Sequence, residues 1–108
     1  MQNNWKPVIK SLLKHLENEG FSPFQVDNGD GRVKTSTWKD ALEEINATDE
    51  SHVYLKHPSV EKSLWLWVVL GNEPEETVCD YSCNEFLDKA TGAFSDKWEG
   101  KPCPTIKG

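Results

Sequence analysis

The segment Leu64-Trp65-Leu66-Trp67-Val68-Val69-Leu70 is apolar at seven consecutive positions. It is far too short for the roughly 20 residues a membrane-spanning helix needs. Its β-branched and aromatic content, together with the flanking Gly71-Asn72-Glu73-Pro74, marks it as the strongest strand in the chain. Side chains alternate along a strand, so Leu64, Leu66, Val68 and Leu70 point one way, and Trp65, Trp67 and Val69 point the other. A strand apolar on both faces has two possible fates. Either it is central and covered on both sides, or it leaves an aromatic face for a partner. Large indoles on small sheets are usually covered, here by a helix or by the C-terminal tail. If every helix packs on the leucine face instead, Trp65, Trp67 and Tyr54 stand on an open sheet. Trp and Tyr are the residue types enriched at binding hot spots.

The rest of the chain supplies the elements around this strand. Trp5, Val8, Ile9, Leu12, Leu13 and Leu16 recur every three or four residues, which predicts a helix over 5–19 with Asn4 as its cap and Gly20 at its end. Lys6, Lys10 and Lys14 form a ridge on the other side of that helix, read as a solvated face. Phe24 and Val26 alternate with polar neighbours, placing both on one face, and Asp27-Asn28-Gly29-Asp30-Gly31 followed by Arg32-Val33-Lys34-Thr35 completes a predicted hairpin. Thr37 precedes a second amphipathic stretch, Trp38 to about Asn46, whose apolar face is Trp38, Ala41, Leu42 and Ile45. Strands follow at 52–56, 63–70 and 77–81, with Val53 and Leu55 as the apolar set of the first. A last helix is expected from about Asn84 to Glu99, capped by Ser82 or Asn84, with Gly92 marking a kink or a close approach.

Strands joined by short turns favour an antiparallel α+β sheet over a parallel doubly wound one. The expected fold is a single domain over residues 1–100 with an extended tail at 101–108. It has three helices and about five strands in the order α-β-β-α-β-β-β-α. At 108 residues the chain has room for one real core and no second domain.

Chemical signatures are sparse. Cys79 and Cys83 are separated by three residues, and Cys103 with His52 or His57 would complete four zinc ligands. There is no second close pair, so no metal is expected. Three cysteines are too few for a disulfide scaffold and suit a reducing, cytoplasmic setting. The N-terminus lacks a charged-then-apolar leader, so secretion is not expected. Gly29-Asp30-Gly31 lacks the later residues of a nucleotide-binding loop, and no acid–base pair or nucleophile is indicated. Neither a catalytic residue nor a cofactor is expected.

Charge is unevenly distributed. The net −6 combines a balance of +2 over residues 1–39, −10 over 40–88 and +2 over 89–108. Residues 63–88 contain no Lys or Arg and six acids, Glu73, Glu75, Glu76, Asp80, Glu85 and Asp88. Aromatic platforms that bind single strands pair their rings with a basic groove, so direct nucleic-acid binding is not expected.

The run Trp65-Leu66-Trp67-Val68-Val69-Leu70-Gly71-Asn72, with the following Asp80-Tyr81, resembles a group of small uncharacterised proteins carried by bacterial phages and integrated mobile elements. The likeness covers mainly residues 60–82. It implies an accessory role and transfers no catalytic or ligand residue.

The expected function is therefore a non-enzymatic interaction module that binds a protein, with no membrane association. Two surfaces offer themselves. One is aromatic: Tyr54, Trp65 and Trp67. The other is acidic (Asp40, Glu43, Glu44, Glu73, Glu75, Glu76 and Asp80) and suited to imitating the charge of a nucleic acid. The alternative is a small-ligand domain using the Trp65/Trp67 face as an apolar wall. Homodimerisation through a strand edge or the tryptophans also fits.

Overall fold

The apolar stripe of the first predicted helix is realised as α1 (Lys6–Asn18), with Val8, Ile9, Leu12, Leu13 and Leu16 all buried. The computed structural model describes residues 3–105, so Met1, Gln2 and the last three residues of the expected tail lie outside the described residues. Trp5, rather than Asn4, is the cap residue of α1; Asn4 sits one position earlier and its Oδ1 accepts from the Lys6 N–H. The helix ends in a Schellman turn. The Gly20 N–H reaches the Glu17 carbonyl and the Phe21 N–H reaches that of Leu16, which turns buried Phe21 back onto the helix.

The hairpin follows as β1 (Ser22–Asp27) and β2 (Arg32–Lys34), then α2 (Trp38–Asn46), β3 (Glu50–His57), β4 (Val60–Val69), a 3-10 turn at Pro74–Glu76, β5 (Val78–Tyr81) and α3 (Glu85–Trp98). The side-chain oxygens of Thr37 and Asn84 accept the first free amide hydrogens of α2 and α3. Ser82 is not the cap of α3: its backbone N–H and hydroxyl instead bond to the backbone of Trp65. Helix α3 runs unbroken through Gly92, which is exposed with open space around it, so neither the expected kink nor a close approach occurs.

The five strands form one antiparallel sheet in the order β2-β1-β3-β4-β5. Val26, Val53, Leu55, Leu64, Leu66 and Val68 line its inner face and are buried against Ile9, Leu12, Ile45, Leu87 and Phe94 of the three helices. Apolar area removed from water contributes roughly 25 cal/mol per Å², and this layer holds every large fully buried side chain among the described residues. Helix α2 packs over β1 and β3; α1 lies between α2 and α3. Helix α3 is fixed to α1 by a long-range bond, Trp98 Nε1–H to Ser11 Oγ at 3.1 Å.

Phe24 departs from the alternation read in the sequence. Pro23 pairs with Leu55 and Gln25 with Tyr54, leaving Phe24 as an extra residue in a β-bulge. Pro23 and Val26 take the inward positions, and Phe24 turns to the outer face.

The open sheet face as candidate functional site

All three helices lie on the inner face, and the described part of the tail, through Thr105, goes elsewhere. Asn4 N–H donates to the Pro104 carbonyl at 2.7 Å, Asn3 bridges Thr105, and Cys103 Sγ–H meets the Asn4 carbonyl. Residues 103–105 thus close on Asn3 and Asn4. Among the described residues no element packs over the outer face of the sheet. Trp65 and Trp67 lie on that outer face, apart from the helix-packed core, and both rings are half-buried.

Strand register arranges that face into transverse rows. Residues paired across neighbouring strands point to the same side. One row runs Arg32, Asp27, His52, Trp67 and Asp80. The next runs Lys34, Gln25, Tyr54 and Trp65. Within them the rings touch. His52 stacks on Trp67 with centroids 5.7 Å apart and planes 7° from parallel, and lies 6.3 Å from Trp65. Phe24 lies 6.2 Å from Tyr54. Arg32 places its guanidinium 5.0 Å over Tyr54 while pairing with Asp27 at 3.9 Å, and the Lys56 ammonium is 5.1 Å over Phe24. The indole N–H of Trp67 is buried and has no hydrogen-bond partner. Such an orphan donor costs roughly 1–3 kcal/mol.

Two kinds of residue on this face escape a reading of the strongest strand alone. The cations Arg32, Lys34 and Lys56 come from β2 and β3, outside the Lys- and Arg-free stretch at 63–88. Lys56 and His52 were recoverable, because Val53 and Leu55 pointing inward sends His52, Tyr54 and Lys56 outward. Phe24 was not, because its place depends on the bulge.

The acidic residues do not gather into one patch. Asp40 and Glu43 are exposed on α2, which packs over β1 and β3. Glu44 is half-buried and accepts from Asn28 Nδ2 at 3.1 Å. Glu73, Glu75 and Glu76 surround the 3-10 turn beside α3, and Asp80 is on β5 at the far edge of the sheet. Of the acidic set, Asp80 alone belongs to the aromatic face, opposite Trp67.

The sulfur and imidazole groups considered for zinc stand apart too. Cys79 and Cys83 are exposed, whereas burial pushes the Cys103 thiol up, helped by the charge of Glu73. His57 is buried against the turn that ends α1. Its Nδ1 accepts from the Ser59 N–H, which leaves Nε2–H to donate to the Glu19 carbonyl at 2.7 Å, and the ring stacks on Phe86. Among the described residues no three His, Cys, Asp or Glu side chains converge as a metal site would require, and no helix is long and apolar enough to cross a membrane. Comparison with family models, with curated proteins and with solved structures gives no match.

Proposed function

We propose that this chain is a non-enzymatic, cytoplasmic interaction module that docks another protein on its open sheet face. The observation that carries the reading is the one-sided packing of the helices, which leaves Phe24, His52, Tyr54, Trp65 and Trp67 contiguous and uncovered. Rigid aromatic rings offer large contact area at small entropic cost. The charges favour a protein over a nucleic acid. Arg32, Lys34 and Lys56 share the face with the acids Asp27, Glu50 and Asp80, and Arg32 is already engaged by Asp27. A phosphate-tracking groove needs an excess of cations. The resemblance to small phage and mobile-element proteins supports a host protein as the partner.

The test is affinity capture from host lysate at low and high salt, using the wild type, Trp67→Ala, Arg32→Glu and a Glu73→Gln/Glu75→Gln/Glu76→Gln variant, each checked for fold by circular dichroism. The expected result is a partner that survives high salt, is lost with Trp67→Ala or Arg32→Glu, and is kept by the glutamine variant. A partner lost with the glutamines and kept by Trp67→Ala would make the acidic segments the interface and overturn the reading. Light scattering identifies the case in which the partner is a second copy.

A further inference from the structure

The lysine ridge on α1 meets α2 across a groove of about 450 Å³, within the range of roughly 300–1,000 Å³ typical of small-molecule sites. Leu13, Trp38 and Leu42 give it apolar walls. Lys10 and Lys14 from α1 and Lys39 from α2 rim it, with Glu17 as the one acid. None of these three lysines takes part in an ion pair among the described residues, whereas Lys6, at the start of the same ridge, reaches Glu43 at 4.0 Å. In a chain of net charge −6, this rim is a local excess of cations around an apolar slot.

We infer that the groove between α1 and α2 binds a small amphipathic carboxylate, its apolar body against Trp38 and Leu42 and its carboxylate among Lys10, Lys14 and Lys39. The chemistry follows from the lining. Apolar walls exclude water from a hydrocarbon or aromatic body, and lysines are mobile point charges able to close on one anionic head. A cationic head would face the same three charges and be repelled. The site is on the helix layer and independent of the sheet face, so either can fail without the other.

Decanoate, kept below its micellar range, and decyltrimethylammonium are the probes, followed by calorimetry and by backbone and indole chemical shifts of the whole chain. The expected result is decanoate binding with shifts centred on Trp38, Leu13 and Leu42, and at least about ten-fold weaker binding of the cationic amphiphile. A Lys14→Glu/Lys39→Glu variant, its fold confirmed by an unchanged denaturation midpoint, should weaken decanoate about ten-fold or more. Both lysines are exposed, so that variant should fold. Equal affinity for the two amphiphiles, shifts centred on Trp65 and Trp67, unchanged affinity in the variant, or no binding at all would each overturn the inference.

Discussion

At the scale of single residues, Gly20 is held by two independent demands. Its φ of +93° lies where only glycine is comfortable, and a Cβ there would meet His57 Nε2 at 3.2 Å. That same nitrogen donates to the neighbouring Glu19 carbonyl, so displacing the ring also weakens a buried bond. Gly20→Ala should lower stability by roughly 1–2 kcal/mol in urea denaturation. An unchanged midpoint would mean that the turn is not held as described. His15, on the last turn of α1, has its pKa lowered by burial and, secondarily, by Lys97 on α3. A histidine that is harder to protonate when folded than when unfolded costs stability as pH falls through its unfolded value of about 6.5. The wild type should therefore lose more stability between pH 7.5 and 5.5 than His15→Gln does. Equal losses in the two proteins would contradict the assignment. Position by position, glycine and cap residues were legible only in part: Asn4 and Gly92 do not play the parts their types suggest. Gly20, Thr37 and Asn84 occupy the roles their types suggest.

At the scale of elements, what could be read followed from periodicity. The stripe of α1 and the alternation of β3 fixed the inward faces, because a shift of one residue would have exposed every buried side chain of the strand. Phe24 was misplaced because a bulge resets the phase, and a single strand carries no mark of where its neighbour slips. Whether β4 would be covered on its tryptophan face was also illegible, since that depends on where three helices pack rather than on the strand itself. Gly92 makes the converse point. Its sequence position suggested a structural demand, yet nothing lies within 4 Å of a Cβ built there. Gly92→Ala should raise stability by about 0.5–1 kcal/mol through helix propensity. A loss of stability would reveal a contact at that position.

At the scale of the whole molecule, the fold is a two-layer object with unlike sides. The helix layer carries a cation-rimmed groove between α1 and α2; the opposite side is an aromatic sheet with cations toward β2 and Asp80 toward β5. The acidic middle of the sequence, so marked as a run, is spread over α2, the sheet, the turn before β5 and the start of α3. Linear charge therefore overstated how concentrated the acids are in space and hid where the cations meet. The ten-residue β4 joins these levels, because its leucines build the core while its tryptophans build the surface. Among the described residues nothing covers that surface. Hydroxyl-radical footprinting of the isolated protein tests it directly, with protection factors for Phe24, Tyr54, Trp65 and Trp67 set against those of the buried Phe21 and Phe94. The four outer rings should be modified well above the two core rings, and addition of a partner should suppress them together. Protection of Trp65 and Trp67 to the level of Phe94 in the free monomer would contradict the account.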